Sequence, residues 1–441
     1  MADNGVVVSA NDSEIVTDVF LTTCLRQPGV HNVCAATTCS KLASSGETDK
    51  NKTDYNPLIT GSTAELYIHP MLTCVSDIDI MFHFSSMLAI PAHCPAPTHL
   101  PAKFQSDVNV YKITDSEFPG YVFLQLRYLL TECTDYSKYQ AKRVTGHKFI
   151  LKYTVKNFNV RPIPAMIHGP AHTFNSRANV FSVDHVLCVR CLLWPTQAAD
   201  WPRRDRNYGW PDSATVDRVV SKGCDVVRVA HRLCKHHDWL GEYQCRLSFS
   251  RAEIVLLNSW IPVQQIVYHM LRIFVKTEEL LTSVNEDSGT KILGNYHIKT
   301  LMLWACEQQP TNLWIADVNV VRICAKLLHT LSVWLTNARI PHYFISICNL
   351  LDTDRTFSSE IISSHLMSLT ESWLSTWFIN NYIRKCSRLC PNHVSRLFND
   401  VSTRIRLRHA VSAVVNERLN TATQDLWRVF ALASLWIPDS L

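Results

Sequence analysis

Two aspartates stand inside an apolar run early in the chain. Residues 75–82 read VSDIDIMF and contain Asp77 and Asp79. On a β-strand, residues two apart share one face, so both carboxylates would project together while Ile78 and Ile80 pack on the other face. Adjacent carboxylates repel each other unless a cation or a proton lies between them. The run therefore predicts either a site for a divalent cation such as Mg²⁺ or an edge strand with solvated acids.

A Gly-Ser turn precedes this strand at Gly61 and Ser62. Glycine lets the backbone approach a ligand closely, and the serine hydroxyl and amide can hold phosphate oxygens. A phosphate-holding turn followed by paired acids predicts phosphoryl or nucleotidyl transfer by two-metal catalysis. Such a site needs a third acid from a neighbouring strand. Asp184 in NVFSVDHVLCVRCLLW and Asp107 in SDVNVYKI are both candidates, and the pattern alone leaves both open.

The composition and the pattern of the chain predict two folded lobes. The chain has 441 residues, with 47% hydrophobic and 18% charged residues and a net charge of +5. Residues 11–25 have helical spacing, and residues 57–194 consist mainly of short β-branched and aromatic runs. Long helical patterns follow at 214–236, 260–283, 296–307, 317–337 and 360–385. We expect an α+β chain with a catalytic lobe at 1–195 that includes the N-terminal helix, a helical lobe at 196–441 and a cleft between them.

The sequence shows no sign of secretion or of membrane insertion. The N-terminus has no basic segment followed by an apolar core, and no apolar run of about 18 residues occurs. The 16 cysteines are scattered through the chain, which is typical of reduced, mostly buried thiols. We therefore expect a cytoplasmic protein without a membrane partner.

Three further stretches resemble one family of enzymes. They are CRLSFSRAEIVLL at 245–257, GNYHIKTLMLWACE at 294–307 and TGS at 60–62. They are similar to cyclic GMP–AMP synthase and its relatives, the cGAS-like receptors of the Mab-twenty-one superfamily of nucleotidyltransferases. The resemblance implies a bilobal nucleotidyltransferase fold, with a mixed β-sheet lobe, a helical C-terminal lobe and the active site in the cleft. It also implies that two nucleoside triphosphates are joined into a cyclic dinucleotide second messenger of innate immune, antiviral signalling.

The resemblance assigns the acids a role. Asp77, Asp79 and Asp184 match the three residues that hold two Mg²⁺ or Mn²⁺ ions in the family, which favours Asp184 over Asp107. Metal ions in such a site position the attacking ribose hydroxyl and neutralise the pyrophosphate that leaves.

The resemblance also assigns nucleotide-binding positions. They are Thr60, Gly61, Ser62, Arg246, Ser248, Ser250, Lys276, Asn295 and Tyr296. Tyr296 matches the aromatic residue that stacks on a base, and Lys276 the helical-lobe lysine that reaches the triphosphate. Asn295 stands where the synthase has a serine, and Val186 where it has a threonine. Because hydroxyl groups discriminate bases by hydrogen bonds, the identity of the two bases in the product stays open, and ATP and GTP are the expected nucleotides.

A nucleic-acid activator is the third implication. The vertebrate DNA sensor has a zinc ribbon after its RLSFS helix, whereas AEIVLLNSWIPVQQIVYHML in this chain contains no cysteine. Family members without the ribbon often sense double-stranded RNA, so we expect double-stranded RNA rather than DNA, and no structural zinc ribbon. The candidate contact residues are Lys142, Arg143, Lys148, Lys152, Lys156, Arg384, Lys385 and Arg388. Ordinary solvated surface is the alternative for all of them.

Several questions stay open at this stage. The sequence does not separate a cyclic from a linear product, nor does it decide whether a ligand induces a homodimer. A non-catalytic scaffold or developmental protein is the alternative outside the enzymes, although the complete set of acids and the Gly-Ser turn favour an enzyme. Whether Cys234, His236, His237 and Cys245 bind a metal is also undecided.

Overall fold

The structure is a computed structural model, and it describes the larger part of the chain. The described residues are 12–24, 55–65, 78–133, 138–145, 166–168, 170–175, 182–234, 239–278, 293–314, 319–351 and 357–383. They form a mixed sheet with helices, so the predicted α+β class is confirmed. Of the helices in these ranges, none combines the length and the apolar character that crossing a membrane requires.

Ten strands of the described residues form one sheet. They are β1 (Tyr55–Thr60), β2 (Ile78–Pro91), β3 (Asp107–Asp115), β4 (Tyr121–Cys133), β5 (Lys138–Arg143), β6 (Met166–His168), β7 (Ala171–Asn175), β8 (Ser182–Cys191), β9 (Cys224–Val227) and β10 (Gln244–Ser248). Six of them pair in the order β2, β3, β4, β10, β9 and β8, and β8 pairs back with β2. The pairings therefore close into a ring, and β1, β5, β6 and β7 extend it outward.

The strands follow the alternation of the sequence. In β3, Val108 and Val110 are buried while Asp107 is exposed, as expected where one face of a strand packs on the core. β9 pairs with a strand on each side, and all four of its residues are buried.

The described residues also contain nine α-helices. They are α1 (Asp12–Cys24), α2 (Gly61–Glu65), α3 (Ser213–Ser221), α4 (Ser250–Leu257), α5 (Pro262–Thr277), α6 (Asn295–Gln308), α7 (Val320–Thr336), α8 (Phe357–Ser368) and α9 (Glu371–Phe378). Local signals fix several of their ends. Asp212 accepts a hydrogen bond from the Thr215 amide at 2.6 Å, and Pro262 occupies the first turn of α5, as both residue types favour.

The helix predicted over residues 214–236 is wrong in its second half. The helix ends at Ser221, and Gly223 follows with a φ of +60°, which favours glycine. The next residues, CDVV, form β9 instead of a further helical turn. Two of these four residues are β-branched valines, which favour a strand over a helix once strands flank the segment on both sides.

Two features differ from the predicted grouping of residues into lobes. β9 and β10 come from residues after 195, yet they belong to the sheet. α1 packs against the helical lobe, where Phe20 stacks on Tyr382 with ring centroids 5.5 Å apart and Ser13 bonds to Ser375. The position of the boundary between the lobes stays a prediction.

Candidate active site

The strand register brings two of the predicted acids together. Asp79 in β2 and Asp184 in β8 are direct partners on adjacent parallel strands, which lie about 4.8 Å apart in a sheet. Thr60 in β1 is the partner of Asp79 on its other side, and Thr173 in β7 is the partner of Asp184. The Thr173 hydroxyl donates to Asp184 Oδ1 at 2.7 Å. Asp77, the other acid of the predicted set, lies outside the described residues.

Asp107, the rival third acid, lies elsewhere. β3 runs beside residues 87–91 of β2, so Asp107 is roughly 20 Å along the strand from Asp79. Its side chain is exposed and accepts a hydrogen bond from Thr131 at 3.0 Å. Asp107 therefore cannot join a site at Asp79 and Asp184.

The Gly-Ser turn abuts the Asp79 carboxylate. Gly61 has a φ of +61°, and a Cβ atom there would lie 1.8 Å from Asp79 Oδ2. Both the backbone conformation and the lack of space require glycine at this position. Ser62 follows as the second residue of α2, so the backbone of the turn lies directly beside the acids.

The arrangement fits a divalent cation. Asp79 and Asp184 are paired residues on adjacent strands and therefore lie side by side on the sheet, and hard cations such as Mg²⁺ prefer carboxylate oxygens as ligands. Gly61 approaches the Asp79 carboxylate closely and has no side chain of its own on that side. No cluster of three or more metal-ligating side chains occurs in the described ranges, of which Asp77 is not a part.

A buried lysine joins three elements behind the turn. Lys299 in α6 donates to Glu65 Oε1 at 2.6 Å and to Glu253 Oε2 at 2.7 Å. Glu65 ends α2, the one-turn helix that begins at Gly61, and Glu253 lies in α4. All three residues are buried. We call this group the Lys299 clamp; it connects the Gly-Ser turn to the helix that carries Tyr296.

The charges of the clamp depend on one another. Burial would lower the pKa of Lys299, but Glu253 and Glu65 outweigh burial and hold that pKa well above its ordinary value. Burial raises the pKa of Glu65, and Lys299 opposes this shift. The lysine therefore stays charged, and removing it would leave two carboxylates without their cation.

A second buried charge group holds the segment RLSFSR in place. Asp225 in β9 contacts His83 Nε2 at 3.0 Å and Arg251 Nε at 3.1 Å, with Arg190 at 3.5 Å. Burial raises the pKa of the Asp225 carboxyl, but the bond from His83 and the neighbouring cations outweigh it and lower that pKa. Because Arg251 follows Ser250, this group fixes the start of α4.

The other predicted nucleotide-binding residues occupy several elements. Ser248 ends β10 and Ser250 begins α4, and their hydroxyl oxygens lie 3.1 Å apart. Arg246, in β10, is exposed. Lys276 lies in the last turn of α5. These positions, like the acids, remain predictions of the sequence.

The start of α6 carries two further predicted residues. Asn295 is its first residue, and its Oδ1 is buried without a hydrogen-bond partner among the described residues. Tyr296 follows, with 38% of its surface exposed and with Lys299 Nζ 5.8 Å from its ring centroid. An exposed ring at this place can offer a face for stacking.

Sequence reasoning missed the residues that support the site. Thr173, Glu65, Glu253 and Lys299 all hold predicted site residues or the elements that carry them. Two of these residues could have been identified from the sequence, because each is a charged residue within an otherwise apolar helical stretch: Lys299 in YHIKTLML and Glu253 in AEIVLL.

The predicted nucleic-acid contacts are only partly described. Lys142 and Arg143 are exposed on β5, at the outer side of β4. Lys148, Lys152, Lys156, Arg384, Lys385 and Arg388 lie outside the described residues. Cys234 Sγ lies 3.3 Å from Glu117 Oε1 and Cys245 is buried in β10, whereas His236 and His237 are outside the described residues.

Comparison with known proteins identifies the class of protein that this fold and site define. The Mab-21 protein nucleotidyltransferase domain matches residues 101–259, and the Mab-21 protein HhH/H2TH-like domain matches residues 265–368. Together the matches cover more than half of the chain. The chain belongs to the Mab-21 family, and the resemblance found in the sequence is confirmed.

Individual relatives are similar over shorter stretches. "Protein mab-21-like" of Anopheles gambiae is 28% identical over 205 residues, which is 44% of this chain and 51% of that protein. "Transmembrane protein 102" of Mus musculus is 30% identical over 142 residues, 31% of this chain and 26% of that protein. "Cyclic GMP-AMP synthase-like receptor" of Ctenocephalides felis is 34% identical over 122 residues, 27% of this chain and 24% of that protein. The chain spans about half the length of the mab-21-like relatives it matches.

Proposed function

We propose that this protein is a cytoplasmic nucleotidyltransferase that joins two nucleoside triphosphates into a cyclic dinucleotide when double-stranded RNA binds. The observation that carries the proposal is the register of Asp79 with Asp184, with Gly61 packed against the Asp79 carboxylate. A scaffold has no need for two adjacent carboxylates beside a glycine turn, because neighbouring carboxylates repel each other unless a cation or a proton lies between them. One relative of the chain is named a cyclic GMP-AMP synthase-like receptor.

The residues at the site have separable roles in this proposal. Asp77, Asp79 and Asp184 would hold two Mg²⁺ or Mn²⁺ ions, which supply activation of the attacking hydroxyl and charge neutralisation of pyrophosphate when bound. Thr173 orients the Asp184 carboxylate by its 2.7 Å hydrogen bond. The backbone of the Gly61–Ser62 turn holds phosphate oxygens close to the acids.

The remaining residues bind the nucleotide. Tyr296 offers its exposed ring to a base, a stacking contact worth about 1–3 kcal/mol. Arg246, Ser248 and Ser250 come from the strand and helix that the Asp225 group and the Lys299 clamp hold together. Lys276 supplies a positive charge for the triphosphate from the helical lobe.

A labelled-nucleotide assay tests this function. Purified protein is incubated with the four triphosphates and Mg²⁺ or Mn²⁺, without ligand, with double-stranded RNA or with double-stranded DNA, and products are identified by thin-layer chromatography and mass. We expect an RNA-dependent, phosphatase-resistant dinucleotide from the wild-type protein and from Asp107→Asn. Asp79→Asn and Asp184→Asn should form none, since each removes a metal ligand. Asp107→Asn is the matched control, because it changes an acid of the same sheet away from the site.

Other outcomes select among the alternatives. A linear product would show that the enzyme extends a chain instead of closing a ring. Stimulation by double-stranded DNA and not by RNA would show that DNA is the activator. Unchanged product from Asp184→Asn would overturn the two-metal proposal. Because the chain is also similar to mab-21-like proteins, a non-catalytic scaffold is the second candidate function. The absence of product in every condition, together with no binding of Mn²⁺, would favour that scaffold.

A further inference from the structure

His342 has a fixed protonation state. It lies in the segment after α7, and its Nδ1 accepts hydrogen bonds from the backbone amides of Phe344 at 3.0 Å and Ile345 at 3.1 Å. A backbone N–H can only donate, so Nδ1 carries no proton. Burial and the nearby Arg246 guanidinium lower the pKa of His342 to about 3, which keeps the ring neutral near pH 7. The single ring proton is therefore on Nε2.

That proton has one acceptor in the described residues. His342 Nε2 lies 3.2 Å from the Tyr296 hydroxyl oxygen. Because Nε2 is the donor, the tyrosine oxygen accepts this bond. The hydroxyl proton of Tyr296 is then not used on His342 and can be donated to another group.

The surroundings prevent His342 from turning away. The side chain is 6% exposed and lies 5.6 Å from the ring centroid of Phe249 and 6.1 Å from that of Phe344. The backbone amide of His342 donates to the Cys348 carbonyl at 3.0 Å. The imidazole is thus held from both its backbone and its ring, while the Tyr296 ring in front of it is partly exposed.

We propose that His342 is a positioning residue of the nucleotide site: its Nε2–H holds the Tyr296 hydroxyl and sets the plane of the Tyr296 ring that stacks on a base. This inference rests on the proposed nucleotide-binding function. It gives a buried histidine of the helical lobe an indirect effect on nucleotide affinity. His342 itself contacts no nucleotide in this arrangement.

The test separates the two sets of bonds that His342 makes. In His342→Asn, the shorter side chain can still accept from the amide two residues on, as in an Asx-turn, but it does not reach Tyr296. In Tyr296→Phe, the same bond is removed from the other end and the ring is retained. Binding of the α,β-methylene analogues of ATP and GTP with Mg²⁺, in the absence and in the presence of double-stranded RNA, is measured by calorimetry for wild type, both single variants and the double variant.

We expect each single variant to weaken analogue binding about five-fold, as the loss of one hydrogen bond does, and the double variant to be no weaker than either single one. The thermal midpoint of His342→Asn should stay within about 2 °C of wild type, because its backbone bonds are retained. Nitrogen chemical shifts should identify His342 as the neutral Nε2–H tautomer. Additive losses in the double variant, unchanged binding by His342→Asn, or an Nδ1–H tautomer would each overturn the inference.

The same experiment distinguishes this inference from the proposed function. If wild type binds the analogues with the expected pattern but forms no product from the natural triphosphates, the synthase proposal fails and the role of His342 stands. If wild type binds neither analogue, both are overturned. If product forms and the His342→Asn variant binds like wild type, only the positioning role is overturned.

Discussion

Gly61 and Gly209 have similar backbone angles but opposite surroundings. Gly61 has a φ of +61°, and a Cβ atom at this residue would lie 1.8 Å from Asp79 Oδ2, whereas Gly209 has a φ of +71° with open space around it. Alanine at either position would adopt a left-handed conformation, at about 1–2 kcal/mol. Only at Gly61 would it also displace a carboxylate of the candidate site.

We therefore expect Gly61→Ala to abolish dinucleotide formation and Gly209→Ala to leave it near wild type. Gly209→Ala should lose about 1–2 kcal/mol of unfolding free energy, measured by urea titration, because it places alanine at a positive φ, and Gly61→Ala should lose at least as much, since its Cβ also displaces Asp79. Since both variants share the unfavourable φ, a difference in the amount of product between them reports the effect of the contact between residue 61 and Asp79. Equal activity of the two variants would show that the turn does not need to approach the carboxylate.

Two histidines make stability depend on pH. The pKa of His342 is lowered to about 3 by burial and Arg246, and burial, with His172, lowers the pKa of His185 to about 4. An unfolded histidine takes up a proton below about pH 6.5, and the native protein does not until the pH approaches these lower values. The unfolded state thus binds more protons in this window, so stability falls on acidification from about pH 6.5 towards 4.

His342→Asn should reduce this loss. Each histidine that titrates only in the unfolded state contributes a slope of about 1.4 kcal/mol per pH unit below about pH 6.5. Urea titrations of wild type and His342→Asn at about pH 7.5, 6 and 5 measure the difference in slope. Parallel curves for the two proteins would show that His342 is not neutral and buried in the native state.

At the scale of elements, the Lys299 clamp connects α2, α4 and α6. Lys299→Met removes the cation and leaves Glu65 and Glu253 buried, and breaking a buried pair in this way costs about 3–5 kcal/mol. Adding Glu65→Gln and Glu253→Gln to Lys299→Met should restore much of that stability, because no buried charge is then left unpaired. Urea unfolding free energies of the single and triple variants check this; a triple variant less stable than Lys299→Met would contradict it.

The elements were predictable where one local pattern dominated. α5 and α7 carry long helical periodicity, and both lie within the predicted ranges. β9 was missed because a four-residue run with three apolar residues fits a helix and a strand equally well until the neighbouring strands are known.

The site was predictable only in its local parts. The spacing of Asp79 and the Gly61 turn is readable from the sequence, but the pairing of Asp79 with Asp184 depends on the register of two parallel strands, which no local pattern sets. For the same reason the residue pattern alone left Asp107 open, and the resemblance to the family was needed to favour Asp184. The partners of Lys299 and His342 come from distant elements and were not foreseen.

At the scale of the whole molecule, Arg204 anchors the connector, which we define as the segment 192–212 between β8 and α3. Its guanidinium pairs with the buried Glu307 of α6 at 2.7 Å, and it lies 4.3 Å from the Trp304 ring. Tyr343 donates to the same carboxylate at 2.7 Å. The ion pair with Glu307 and the stacking of the Arg204 guanidinium on Trp304 thus both hold the connector on the helical lobe.

Arg204→Ala should lower the unfolding free energy by about 3 kcal/mol, since it leaves Glu307 partly unpaired in the interior. The neighbouring Arg203 is exposed, so Arg203→Ala should change stability by no more than about 0.5 kcal/mol. Calorimetric unfolding of both variants measures the difference. Equal stability of the two would mean that the Glu307 group does not fasten the connector.

The pairing of β2 with β8 also bears on synthesis at the ribosome. Asp79 and Asp184 are about a hundred residues apart in the chain, and the ring that holds their strands is completed only by β10. A nascent polypeptide that ends before Ser248 lacks the strand that closes the ring, and one that ends before Lys299 lacks the cation of the clamp. The ribosome must therefore complete α6 before the candidate site can form, and we expect prematurely terminated copies of the chain to lack it.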